Sequence, residues 1–145
     1  MDLAFAQAKK AAKVNEVPVG AVVVLNGKVI AKAYNLREKK QLVLTHAELI
    51  VIEKAAKKLK SWRLEGCEMY VTLEPCPLCA AALWQARIRK VYFGAIDSKS
   101  GTISIGLNLN QNAKLNHRYE MEFVEDERCS QILSNFFRRK RAEKS

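Results

Sequence analysis

The sequence predicts an α/β fold on a mixed sheet of about five strands, and two stretches carry the prediction. Residues 19–25 and 28–34 are short β-branched or alternating runs on either side of Asn26-Gly27, a pair that accepts the positive φ angles of a two-residue hairpin turn. They form an antiparallel pair. Residues 68–73, 76–88 and 90–94 read as strand, helix and strand, with Pro75 breaking the first from the second. Such a βαβ unit has a right-handed connection and parallel strands, so the sheet holds both orientations.

The other elements follow in order. Asp2 reads as the N-cap of an alanine-rich helix over residues 3–12, since its carboxylate can accept from the free amides of the first turn. Between residues 46 and 60, Leu49, Ile52, Ala56 and Leu59 recur at helical spacing with Lys54, Lys57 and Lys58 among them, which makes a second helix. The polar, aperiodic stretch 95–118 reads as a long loop with a helical turn, and loops of that length usually serve a site. Residues 119–124 add a last strand. Residues 125–144 form a helix that starts acidic and ends Arg138-Arg139-Lys140-Arg141, charges that suit the helix dipole at both ends. No repeat or linker interrupts the pattern, and residues 1–145 are read as a single domain able to bury its own core.

Composition excludes several classes. At 49% hydrophobic residues the chain is too apolar for disorder, yet no apolar run approaches the ~18 residues that span a bilayer. No membrane association is expected. Met1-Asp2-Leu3-Ala4-Phe5 lacks the basic flank and apolar stretch of a secretory signal, so the expected location is cytoplasmic and disulfides are not expected. Lys and Arg number 25 against 15 acidic residues, a formal charge of +10. That excess favours a polyanionic partner; a lysine-rich proteome is the other source of such a charge.

The chemistry is concentrated in two helix starts. Cys76 and Cys79 stand two residues apart, a spacing typical of metal ligands, and the positive end of a helix favours their thiolate forms. His46 supplies a third ligand from the other helix. Structural zinc sites are closed by four protein ligands, whereas catalytic ones use three and leave a position for water, so the set His46, Cys76 and Cys79 predicts an open site for one Zn2+ per chain. Glu48 then stands as the acid–base group that takes a proton from the activated water and returns it to the substrate. One geometric difficulty remains: two residues turn an ideal helix by ~200°, so His46 and Glu48 share a site only if the first turn departs from ideal geometry or the ion lies off the helix end.

His-x-Glu followed by Pro-Cys-x-x-Cys is the signature of zinc deaminases. His46-Ala47-Glu48, residues 72–79 and Arg87-Ile88-Arg89-Lys90-Val91-Tyr92-Phe93-Gly94-Ala95 carry it here. More narrowly, residues 16–22, 97–101, 115–118 and 136–138 resemble the bacterial tRNA-specific adenosine deaminases of the cytidine/deoxycytidylate deaminase zinc-binding family, and the likeness spans nearly the whole chain. The resemblance implies a three-layer α/β/α sandwich of the cytidine-deaminase-like type, a homodimer, a tRNA partner, and hydrolytic deamination of adenosine to inosine at the wobble position. It also implies that Asn35 holds the nucleoside, that Ala47 presents a backbone amide to the base, that Val19 lines the pocket, and that Pro75 belongs to the substrate site. Leu42-Val43-Leu44-Thr45 departs from the Asp-Pro-Thr-Ala-like stretch usual before the His, and Ala80-Ala81 from a common Ala-Gly.

Other residues draw plainer readings. Cys67 and Cys129 have no spaced partner and are read as buried structural residues. Trp62 and Trp84 are assigned to the core or a dimer interface, and Phe136-Phe137 to helix packing or to a wedge under the anticodon loop. His117 is assigned to nucleic-acid contact or loop structure. Arg118 and the cluster Arg138, Arg139, Lys140 and Arg141 are candidate RNA contacts, weighed against a merely solvated helix end. Two rival functions share the motifs: a guanine or free nucleoside deaminase, and a non-catalytic zinc-stabilised RNA-binding module, which would have no use for Glu48.

Overall fold

A computed structural model describes Met1–Lys144; Ser145, the last residue of the expected domain, lies outside the described residues. The Asn26-Gly27 turn forms as the dipeptide dictates, with φ of 51° and 78°. It joins β1 (Gly20–Leu25) to β2 (Lys28–Tyr34) in antiparallel register from Gly20 opposite Tyr34 to Leu25 opposite Lys28, with a bulge that leaves Ile30 unopposed. The βαβ unit is β3 (Glu68–Val71), α4 (Pro77–Gln85) and β4 (Lys90–Phe93), with the two strands parallel and Glu68 opposite Lys90. β3 pairs antiparallel with β1, and β5 (Glu120–Phe123) pairs parallel with β4, so the order is β2-β1-β3-β4-β5. The expected mixed five-stranded sheet is present.

Helices cover both faces. α1 (Asp2–Lys13) packs on β1 and touches α5 (Glu127–Glu143), whereas α3 (Ala47–Leu59) packs on β1 and β2 and touches α4. The result is an α/β/α sandwich whose core runs through Val23, Val51, Met69, Val71, Leu83 and Val91, all buried. The long loop 95–118 contains one 3₁₀ turn, Leu109–Gln111. No helix among the described residues is long and apolar enough to cross a membrane.

Two details depart from the sequence reading. Asp2 is not a cap: Met1 takes that position, no side chain caps α1, and Asp2 instead accepts from Arg128 Nη2 at 2.7 Å. The short helix α2 (Arg37–Lys40) has no local signal, because the carboxylate that accepts from its Glu38 and Lys39 amides belongs to Glu16. At the sheet edge, Lys90 Nζ reaches Glu120 and Glu122 of β5 at 3.2 and 2.9 Å.

Gly20 fixes how closely α1 approaches the sheet. A Cβ there would lie inside van der Waals contact with the Ala4 carbonyl oxygen and the Ala8 nitrogen, both backbone atoms. Gly20→Ala is therefore expected to lower stability by about 1–3 kcal/mol, read as a lower denaturant midpoint with unchanged slope.

Candidate active site

His46 occupies the N-cap of α3 with extended backbone (φ −63°, ψ 149°), and Cys76 the N-cap of α4 (φ −75°, ψ 170°). Pro77 at the first helical position has its φ pre-set for the turn that brings Cys79 round beneath Cys76. His46 is thus outside the helix that Glu48 belongs to, which removes the ~200° difficulty: the ligands converge off the helix ends. Both helices aim their N-termini at this point.

The His46, Cys76 and Cys79 ligand atoms lie within 4.8 Å of one another. His46 Nδ1 stands 3.4 Å from Cys79 Sγ and 3.8 Å from Cys76 Sγ. Zinc bonds of about 2.0 Å to nitrogen and 2.3 Å to sulfur at a tetrahedral angle predict N···S edges of about 3.5 Å, so these residues fit the ion. The Cys79 thiol donates to Cys76 and, with the His46 ring, holds the Cys76 thiol well below its usual range, pushed down to about 4. The same bond and burial push the Cys79 thiol up, and the bond to Cys76 raises His46. A divalent cation held by these three residues would bind the cysteines as thiolates and release their protons.

Glu48 is buried, and that burial pushes its carboxyl up to about 7, against the pull of its own backbone N–H and of His46. It lines a cavity of about 700 Å³ that also contains His46 and Cys76. Val19, Asn35 and Ala47 line the same cavity. Asn35 is itself anchored, donating from Nδ2 to the Val17 carbonyl and accepting at Oδ1 from the Arg37 amide. Pro75 is not among the lining residues; it is buried, and its carbonyl accepts from Thr102.

α5 contributes Leu133, Phe137 and Arg141, which at i, i+4 and i+8 form one stripe along the cavity. Arg138, Arg139 and Lys140 lie off that stripe: Arg138 bonds Asn135, Arg139 and Lys140 stand over the Phe136 ring, and Lys140 also reaches Glu143. Arg118 Nη1 donates to the carbonyls of Asn112, Ala113 and Leu115, tying its own loop together. His117 Nε2 faces the Ile88 carbonyl at 2.7 Å, so it carries the proton and serves loop structure.

Trp62 is not core: it is 56% exposed, with Arg63 and Arg87 over its ring. Phe136 is buried and Phe137 partly exposed, which divides the pair between packing and the cavity. Cys67 and Cys129 are buried free thiols. None of Leu42, Val43, Leu44, Thr45, Ala80 and Ala81 lines the cavity, and the Ala80 carbonyl accepts from the Tyr119 hydroxyl at 2.8 Å.

A family model described as MafB19-like deaminase matches residues 1–141. The chain belongs to that deaminase family. Among curated relatives of this deaminase, the tRNA-specific adenosine deaminase of Bacillus subtilis is 50% identical over 145 residues, covering 99% of this chain and 90% of the relative. The tRNA-specific adenosine deaminase of Aquifex aeolicus is 43% identical over 141 residues, covering 97% and 93%. A solved structure from a study of A-to-I editing by tRNA:A34 deaminases at the wobble position superposes with a TM-score of 0.86 at 40% identity, covering 92% of this deaminase and 97% of that chain.

Sequence reasoning missed two residues of the deaminase that shape the cavity walls. Glu16 holds α2, whose Arg37 lines the cavity, and Glu74 holds the loop that carries Asp97 and Lys99. The donors lie 22–30 residues away from each carboxylate, so no local pattern announces either contact.

Proposed function

We propose that this protein is a zinc-dependent tRNA adenosine deaminase, hydrolysing adenosine to inosine at the wobble position. The observation that carries the reading is the convergence of one nitrogen and two sulfur ligands within 4.8 Å, beside a buried Glu48, at the floor of a cavity wide enough for a nucleoside. The identities of 50% and 43% to tRNA-specific adenosine deaminases support the substrate.

His46 Nδ1, Cys76 Sγ and Cys79 Sγ would hold the ion, and bound there zinc supplies the Lewis acidity that activates water for attack at C6 of adenine. Glu48 moves the protons: it receives one from the attacking water, passes it to a ring nitrogen, and delivers the next to the departing amine. Val19 packs against the base, Asn35 holds the nucleoside, and the Ala47 amide fixes the base edge. Pro75, behind Cys76, acts through the ligand that follows it. Residues 1–145 act as one domain, as a cytoplasmic homodimer. RNA phosphates are met by the cluster of Arg138, Arg139, Lys140 and Arg141, of which Arg141 lines the cavity, and by Arg118, which also ties its own loop together.

The test is incubation of the protein with tRNA and, separately, with free adenosine, guanine and cytidine, followed by nucleoside analysis. Inosine in tRNA alone is expected. Deamination of guanine or a free nucleoside in its place identifies the rival activity, and binding of tRNA with no conversion of any substrate identifies the non-catalytic module. Replacing all four residues of the basic cluster with Ala is expected to raise KM for tRNA and to flatten its salt dependence, because each lost phosphate contact releases one fewer condensed counterion. Superimposable salt titrations would return the cluster to the solvent.

A further inference from the structure

Glu74 follows β3 and stands two residues before Cys76, with 2% of its surface exposed. Its carboxylate accepts from the backbone amides of Asp97 (3.1 Å), Ile103 (3.0 Å) and Ser104 (2.9 Å) and from the Ser104 hydroxyl (2.6 Å). Two backbone bonds run beside it, from Glu74 to the Ala95 carbonyl (2.8 Å) and from Thr102 to the Pro75 carbonyl (2.9 Å). Gly101 sits so close that a Cβ there would collide with the carboxylate group itself.

A carboxylate offers about four acceptor positions, and four donors occupy them. Glu74 therefore has no capacity left to bind substrate or shuttle a proton, although it borders the cavity. Its bonds go to a loop with little regular structure, whose Asp97, Ile103 and Ser104 amides find no partner in a helix or strand and take this carboxylate instead. That loop is a wall of the cavity: Asp97, Ser98, Lys99 and Ser100 line it, in a turn closed by Asp97 Oδ1 accepting from the amides of Lys99 and Ser100. The wall is thus hung from the same short segment that presents the cysteine ligands.

We infer that Glu74 is a positioning residue: it fixes the 97–100 wall relative to Cys76 and so sets the seat of the substrate nucleotide, an inference that rests on the tRNA deaminase reading above. Glu74→Gln places an NH₂ group where an acceptor stood and loses at least one of the four bonds. Ser104→Ala removes a single side-chain bond and leaves every backbone contact in place.

The experiment uses the full-length, zinc-loaded protein and measures zinc per chain, amide exchange, and kcat and KM on tRNA for wild type and both variants. For Glu74→Gln, faster exchange at Asp97, Ile103 and Ser104 is expected, with KM raised about tenfold or more, since bonds to a charged acceptor are worth that much. Zinc content should be unchanged and kcat within about threefold, the pattern of lost binding that is equal in ground and transition states. Ser104→Ala should raise KM about threefold. Unchanged KM in both variants despite faster exchange overturns the role, as does loss of zinc or a fall in kcat at constant KM. Should Glu74→Gln fail to fold, an unchanged KM in Ser104→Ala is enough to overturn it. A wild-type protein inactive on tRNA defeats the functional reading itself, and is seen before any variant is made.

Discussion

Glu48→Gln is expected to lower deamination by about 10²–10⁴-fold while leaving the fold and the zinc in place. Gln fills the same buried volume, so no cavity or overpacking results, and Glu48 is not one of the three converging ligands. What disappears is the capacity to gain and lose a proton. Burial brings the Glu48 carboxyl up to about 7, close to the working pH, where a group that must both accept and return a proton is most effective. The measurements are kcat at saturating tRNA, zinc by elemental analysis and thermal unfolding. Activity within about tenfold of wild type removes Glu48 from the chemistry, and loss of zinc makes it a ligand instead.

Cys76→Ala combined with Cys79→Ala should have the larger effect, removing zinc to background and deamination below detection. The set holds only three suitable donors among the described residues, and loss of two leaves His46 alone. An ion stabilises several kcal/mol of developing charge, which corresponds to more than about 10³-fold in rate. Zinc that binds only the folded chain also adds stability that grows with its free concentration, so the wild type should lose unfolding temperature on chelation and the double variant should not. Zinc retained by the double variant would mean that other residues hold it, and a chelation shift of equal size in both proteins would carry the same message.

Much of this was legible in the sequence because the decisive signals are local. Asn26-Gly27 set both positive φ angles from two adjacent residues. Pro75 before Cys76 marked the change from strand to helix, and the three-residue step to Cys79 placed both sulfurs at the start of that helix. The angular conflict between His46 and Glu48 disappeared once His46 proved to be a cap, a distinction of one residue that periodicity does not resolve. What stayed hidden depends on distant partners. α2 forms because Glu16 reaches its amides across 22 positions, and Asp2 leaves its expected capping role for Arg128, 126 residues on. The basic run 138–141 reads as one cluster, yet helical rotation puts only Arg141 of it on the cavity stripe.

The acidic border that β5 gives the sheet bears on how copies of the chain can meet in solution. A strand at an edge offers unpaired amides and carbonyls to any other strand, which is the usual route to aggregation. β5 is four residues long and sets Glu120 and Glu122, 72% and 54% exposed at their side chains, on one face, where Lys90 of the neighbouring β4 reaches both. A second β5 brought alongside in antiparallel register would oppose carboxylate to carboxylate, with the Lys90 of each copy already engaged by its own two glutamates. Continuous sheet across two molecules is disfavoured along this border, and a concentrated sample stays free of that route to fibres.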